Sequence, residues 1–310
     1  MRILGIESSH DDTSIALIEN HKVLFFHKIS QIDVHKKYGG TIPEIASREH
    51  FQNYYILLEE IKKEFDLNTI DAIAYTEKPG LIGSLQMGYL FSHALSKYLN
   101  KELIPINHLY GHIFSVLLDT NQNIHYPSIA LVVSGGHTNL YLLNSPQDIT
   151  LIGQTQDDAA GEVYDKVARV LFNQFPGGPV IDKIFQNNRN NINTNIKLFN
   201  PKLEHELDFS FSGYKTQIMN LSKSESINKI ELAYVFQKQI VDFIISKVKL
   251  AISKYQPKSI ILSGGVSANT YLREEFMKLH PNALLPSLKY STDNGAMIGI
   301  AAYIQKCNDK

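Results

Sequence analysis

The sequence predicts an α/β protein built from two related lobes, and three observations carry that expectation. A strand followed by a small polar turn occurs three times, in "RILGIESSHDDTS", "PSIALVVSGGHTN" and "KSIILSGGVSAN". Helical stretches separate these units, as in "PEIASREHFQNYYILLEEIKK". With 310 residues and 44% hydrophobic content, the chain is long enough to bury two cores. An internal duplication of one α/β unit accounts for all three, and it implies two similar lobes around a cleft.

Taken in order, "RILGIE", "IALIE" and "KVLFF" are short β-rich runs split by the polar turns "SSHDDTS" and "NH", which reads as a hairpin arrangement. Pro43 to Lys63 places Ile45, Tyr55, Leu58 and Ile61 among the apolar positions of an amphipathic helix. "DAIAYTEKPG" is a strand ending in a Pro-Gly turn, "SLQMGYLFSHALSKYL" a helix, and "ELIPIN" a strand leading into a helix with two histidines. "PSIALVVSGGHTNLYLLN" repeats strand, turn and strand, whereas "KSIILSGGVSANTYLREEF" runs from strand into a helix starting near Ser267. "FQNNRNNINTNIKLFN" (185–200) reads as a polar surface loop. The last helix, "NGAMIGIAAYIQKC", is expected to pack on the first lobe, so lobe one is drawn as 1–106 completed by 294–310 and lobe two as 107–293.

Thirty Lys plus Arg against 31 Asp plus Glu leave a formal charge of −1, which neither announces nor excludes a nucleic-acid partner. The single cysteine, Cys307, cannot form an internal disulfide and fits a reducing compartment. Glu7 interrupts the first apolar run, so a signal peptide is not expected, and no uncharged apolar run approaches the ~18 residues of a membrane helix. A cytoplasmic protein without a membrane partner is the expectation.

Glycine pairs after apolar strands let backbone N–H groups approach a ligand without Cβ interference. "VSGGHT" (133–138) and "LSGGVSANT" (262–270) have that form, and "FPGGPV" (175–180) adds a third pair. Each alone reads first as an ordinary tight turn; three together, two of them after apolar strands, point toward a nucleotide cleft. Neither the P-loop nor the G-x-G-x-x-G pattern is present. In "DDAAGEVYDKVARVLFNQFPGGP", Asp157 and Asp158 sit at a helix start, where carboxylates are often plain dipole partners. Asp165, further inside that helix, and Asp182, past Pro179, can accept from ribose hydroxyls or an amine. Asn269 can contact a base or ribose, or simply cap a turn.

"NHLYGHIFS" puts His108 and His112 four positions apart, about 40° around a helix axis, where the two can share one ion or pack as ordinary core residues. The zinc-peptidase pattern H-E-x-x-H is excluded, because Leu109 stands where the general base belongs. Asp293, in "YSTDNGAMIG", is the candidate third ligand, and two imidazoles with one carboxylate suit Fe(II) or Zn(II).

"GIESSHDDTS", "YGGTIPEIASREH", "NHLYGH", "LVVSGGHT", "DDAAGEVYDKVARVLFNQFPGGP", "FSFSGYKT", "LSGGVSAN" and "STDNGAMIG", in that order, resemble the signature blocks of the tRNA N6-adenosine threonylcarbamoyltransferase family, TsaD. The resemblance spans roughly residues 1 to 302. It implies a two-lobed actin, Hsp70 and sugar-kinase fold (the ASKHA type) with duplicated mixed sheets around a nucleotide cleft. It implies an acyltransferase that moves a threonylcarbamoyl group from threonylcarbamoyl-adenylate to the N6 amine of the adenosine 3′ of the anticodon. The target tRNAs would be those reading codons that start with adenine, and AMP would be released. By this resemblance His108, His112 and Asp293 hold one divalent ion, Fe(2+) or Zn(2+). The backbone of Val132, Val133, Ser134, Gly135 and Gly136 lines the acyl and phosphate region, and Asp165, Gly178, Asp182 and Asn269 contact the nucleotide. Implied partners are tRNA, a paralogous TsaB-like subunit and a TsaE-like small ATPase. Asp11, in the first turn, is the candidate base, with hydrogen bonding inside the turn as its other role.

Four positions depart from the family's usual pattern. His10 stands for the common Cys, Asp12 for Glu, Lys78 for the Gly before a proline, and Tyr214 for Leu. Two other readings compete: an ATP-driven kinase or ATPase of the same fold, which leaves the histidine pair and Asp293 without a role, and a non-catalytic paralogue, which would be expected to lack them.

Overall fold

The computed structural model describes residues 1–192, 194–224 and 227–308. Its chain divides into two compact units, Met1–Asn123 with Pro286–Lys310, and Ile124–Leu285. These bounds differ from the expected lobes. The histidine helix and the segment carrying Asp293 fall in unit 1, because the helix packs on the last helix and Asp293 directly precedes it.

Unit 1 holds β1 (Arg2–Glu7), β2 (Asp12–Glu19), β3 (Lys22–Ser30), α1 (Ile32–Lys36), α2 (Pro43–Glu64), β4 (Ala72–Lys78), α3 (Ile82–Leu99), β5 (Glu102–Asn107) and α4 (His108–Phe114). Unit 2 follows with β6 (Ser128–Val133), β7 (Thr138–Leu143), β8 (Ile149–Gln154), α5 (Ala160–Phe172), α6 (Gly177–Asn188), α7 (Ser212–Leu221), α8 (Lys229–Tyr255), β9 (Ser259–Ser263), α9 (Thr270–Met277) and β10 (Ala283–Leu284). Helix α10 (Gly295–Asn308) returns to unit 1. Elements α1, β8, α6, α7, α8 and β10 add to those expected.

The duplication is visible in the topology. Sheet one runs β3-β2-β1-β4-β5 and sheet two β8-β7-β6-β9-β10. In both, the first three strands form an antiparallel meander, and the last two lie parallel to the first. Two mixed five-stranded sheets with helices give the expected α/β class.

Strand β1 is buried almost throughout because both faces of its sheet are covered, which explains a run of apolar residues instead of alternation. On one face Leu4, Ile6, Ile15 and Leu17 pack with Tyr54, Leu57 and Ile61 of α2. Each fully buried aliphatic side chain contributes roughly 1.5–3 kcal/mol. On the other face Gly5 meets Gly295 of α10 so closely that a Cβ would overlap its carbonyl oxygen. Side chains alternate along a strand, so Glu7 shares that α10 face with Ile3 and Gly5. Unit 2 has an analogous core, in which Ile129, Leu131 and Val133 meet Val163, Val167, Phe236, Ile240 and Ile244.

The expected loop at 185–200 is partly helical. α6 continues to Asn188, with Phe185 buried, and Leu198 is buried as well. The polar asparagines hide two apolar anchors; Asn193 lies outside the described residues.

Candidate functional site

β1, β4 and β5 run parallel, so their C-terminal ends share one edge of sheet one. There β1 ends in Glu7, β4 presents Thr76, and β5 leads into α4 through Asn107, whose side chain caps the helix by accepting from Leu109 N–H at 2.9 Å. Gly111 lets α4 lie against α10, since a Cβ there would stand 3.0 Å from Ile298 and 3.2 Å from Met297. Asp293 is held by its neighbour. Asn294 is buried, donates to the carbonyls of Tyr290 and Thr292, and accepts from Met297 N–H.

This framework brings His108, His112 and Asp293 together, with one donor atom from each lying within 4.8 Å of the others. Asp293 Oδ1 is 3.6 Å from His108 Nε2 and 3.1 Å from His112 Nε2. Donors about 2.1 Å from one tetrahedral ion stand roughly 3.4 Å apart, so these separations bracket a metal's requirement. The close approach of His112 to Asp293 is not aligned as a hydrogen bond, and both ring nitrogens of His112 are buried without a hydrogen-bond partner among the described residues. Orphaned imidazole nitrogens beside a carboxylate fit a borderline cation such as Fe(II) or Zn(II). Burial disfavours charge on His108, yet the Glu7 and Asp293 carboxylates outweigh it and push its pKa up to about 9. Burial would likewise raise Asp293, but His108 and His112 hold it well below the usual carboxylate range.

Glu7 is the residue that sequence reasoning missed. It is fully buried, and its Oε2 lies 3.1 Å from His108 Nδ1 and accepts from Thr76 Oγ1 at 2.6 Å. Its Oε1 accepts from Ser9 N–H at 2.5 Å. Burial raises its proton affinity, and His108 more than reverses that. A carboxylate on Nδ1 fixes the tautomer that leaves Nε2 as the donor atom. The available signal was a charged residue ending an otherwise apolar strand.

Asp11 and Asp12 also belong to unit 1. Asp11 Oδ1 is 2.9 Å from His10 Nδ1, and its Oδ2 accepts from Thr41 Oγ1 at 3.3 Å. Asp12 pairs with Lys28 at 2.9 Å, and Lys28 also donates to Thr292. Lys78 is exposed, while Tyr214 is buried and donates to Asn200 at 2.6 Å.

The remaining expected residues lie in unit 2. Val132 and Val133 are buried strand residues, and Ser134 to His137 form the tight turn between β6 and β7, closed by Ser134 N–H donating to the His137 carbonyl at 2.8 Å. A Cβ on Gly135, Gly136 or Gly178 would meet nothing within 4 Å, so protein packing does not demand glycine at these positions. Gly264 differs: its φ is +86° and a Cβ would strike the Val133 carbonyl. Asp165 Oδ1 accepts from Gly177 N–H at 2.6 Å. Asp182 accepts from Thr270 N–H and Oγ1 and from Gln237. Asn269 caps α9 through Leu272 N–H and donates to Gln237. The helix expected near Ser267 thus begins at Thr270, after a 3₁₀ turn over Gly265–Ala268. Asp182, Asn269 and the unanticipated Gln237 form one cluster.

Residues 22–300 match the family model TsaD, described as tRNA N6-adenosine threonylcarbamoyltransferase. A protein of that name from Mycoplasma mobile is 55% identical over 306 residues, covering 98% of both chains. Among solved structures, HypF from T. kodakarensis superposes with a TM-score of 0.66 at 13% identity, over 99% of this chain and 48% of its own. The activator of 2-hydroxyisocaproyl-CoA dehydratase from Clostridium difficile does so with a TM-score of 0.54 at 10% identity, covering 100% of this chain and 96% of its own. These two likenesses bear on the fold, which is of the actin, Hsp70 and sugar-kinase type. On the strength of the family match and the identity to its relatives, the chain belongs to the tRNA N6-adenosine threonylcarbamoyltransferases, acyltransferase enzymes that modify tRNA.

Proposed function

We propose that this protein transfers a threonylcarbamoyl group from threonylcarbamoyl-adenylate to the N6 amine of the adenosine 3′ of the anticodon, in tRNAs reading codons that start with adenine, and releases AMP. The observation that carries the reading is the convergence of His108, His112 and Asp293 in a chain of this family. Those three side chains would hold Fe(2+) or Zn(2+), and the ion would supply Lewis acidity to carbonyl or phosphate oxygens. Glu7 keeps His108 in the tautomer that presents Nε2. In unit 2, the open turn Val132–Gly136 would approach acyl and phosphate oxygens through its backbone, and Asp165, Gly178, Asp182 and Asn269 would bind the nucleotide part. Open space above Gly135, Gly136 and Gly178 supports that assignment. The target adenosine sits in a single-stranded loop, so little duplex needs opening.

A TsaB-like subunit and a TsaE-like ATPase are the proposed partners, in the cytoplasm. Exposed Phe51, Tyr55 and Ile56 on α2 and Ile82, Tyr89 and Leu90 on α3 support docking of a subunit on unit 1. No helix is long and apolar enough to cross a membrane among the described residues. The non-catalytic alternative expects missing ligands, and all three candidates are present.

The test supplies threonylcarbamoyl-adenylate, tRNA and partner proteins, then reads modified adenosine by nucleoside mass spectrometry. Asp293→Ala should lose bound metal and lower transfer by at least about a hundredfold. Wild-type rates in that variant would end the metal-centre reading.

A further inference from the structure

Acyl transfer to an exocyclic aromatic amine needs a base, because the amine is a weak nucleophile and its proton must leave as the new bond forms. Asp11 is poorly placed for this, since both carboxylate oxygens already have partners: Oδ1 with His10 Nδ1 at 2.9 Å, and Oδ2 with the Thr41 hydroxyl at 3.3 Å. The same contacts favour its neighbour. With Nδ1–H directed at Asp11, the neutral His10 ring carries its lone pair on Nε2, for which no partner occurs among the described residues. The side chain is 49% exposed, yet its backbone is anchored. The His10 carbonyl accepts from Ser84 Oγ at 3.1 Å and from His50 Nε2 at 2.9 Å, and His50 Nδ1 in turn meets Thr13 Oγ1 at 2.7 Å.

We propose that His10 takes the N6 proton during threonylcarbamoyl transfer, with Asp11 orienting its ring. The inference rests on the transfer reaction proposed above. As the N6–carbonyl bond forms, the N6 proton passes to His10 Nε2; the carbonyl–oxygen bond to the adenylate phosphate then breaks, and AMP leaves with that electron pair. Asp11 stabilises the imidazolium, the division of labour found in carboxylate–histidine pairs elsewhere. The charged and titratable groups around His10 are Asp11, Asp293, His108 and His50. Burial opposes charge on His10, and Asp11 more than offsets it, with Asp293 adding and His108 opposing, so its proton affinity ends above the ordinary value. His10 directly follows Ser9, whose amide donates to Glu7, and Glu7 meets His108, so the turn carrying His10 adjoins the candidate metal ligands.

The experiment uses the full-length protein with its partner proteins, threonylcarbamoyl-adenylate and tRNA, and measures t6A formation across pH together with metal content and thermal stability. His10→Gln should lower kcat about a hundredfold, abolish the acidic limb of the pH–rate profile, and leave metal content and the KM for tRNA near wild type. Added imidazole should partly restore His10→Ala. Asp11→Asn should also lower kcat, and the double variant should be no slower than His10→Gln alone. A His10→Gln rate within about threefold of wild type, a surviving acidic limb, or no imidazole rescue would overturn the assignment. Wild-type protein that makes no modified adenosine would instead overturn the transfer reaction itself.

Discussion

Glu7 is fully buried at the end of an otherwise apolar strand, and a buried carboxylate persists only where every oxygen is paired. Its partners are the Ser9 amide, the Thr76 hydroxyl and the His108 ring, so its cost is offset by fixing one imidazole. Removing it strands two donors and frees the ring to rotate. Glu7→Ala should weaken metal affinity roughly 10–100-fold, whereas Glu7→Gln, which keeps a carbonyl oxygen, should retain most of it. Titration of the metal-free protein with Zn(2+) against a competing chelator reads both, and unchanged affinity in the alanine variant would sink this role. The histidine pair was legible because i, i+4 spacing is a local property. Glu7 was not, because its meaning depends on a partner 101 positions away.

At the scale of elements, local pattern fixed where α2 begins but not the face it buries: of the expected apolar positions Ile61 is buried, Tyr55 is exposed, and Tyr54 and Leu57 face the core instead. α2 begins at Pro43, as expected, because a proline at the first helical turn lacks the N–H that would go unbonded there. α7 shows the opposite case. No side chain of its own caps it, and its start is held from a distance by Asp157, which accepts from Ser210, Ser212 and the amides of Phe211 and Ser212. Asp157 therefore does more than meet the dipole of its own helix. Burial would raise its pKa, but these donors hold it below the usual carboxylate value. A folded pKa below the unfolded one means the stabilisation is present above the unfolded value and lost as pH falls through the folded one. Asp157→Ala should cost about 1 kcal/mol at neutral pH, near the lower end for a cap because the group is exposed. That difference should fade in urea titrations below pH ~4; a pH-independent difference would contradict the account.

For the whole molecule, all three candidate ligands belong to unit 1, although they lie on α4 and just before α10, 181 positions apart between His112 and Asp293 (293 − 112). Binding an ion there ties the start of the unit's last helix to its histidine helix, so the ion should stabilise the fold. At a hundredfold excess over Kd the gain is about 2.7 kcal/mol, or roughly 5–10 °C in Tm for a unit of this size. Differential scanning calorimetry with Zn(2+) and then with excess EDTA should show that interval; an unchanged Tm would mean no ion binds the folded protein. The sequence by itself determined the α/β class, the repeated strand-turn plan, the histidine pair and the family blocks, since each is written in spacing and residue type over short distances. Only the tertiary structure decided that α4 and Asp293 join unit 1, that Glu7 backs His108, that Asp11 is occupied while His10 Nε2 has no partner among the described residues, and that Asn269 is a cap. Those outcomes depend on which distant backbone segments pack together, and packing partners are chosen by the whole chain's burial of apolar surface.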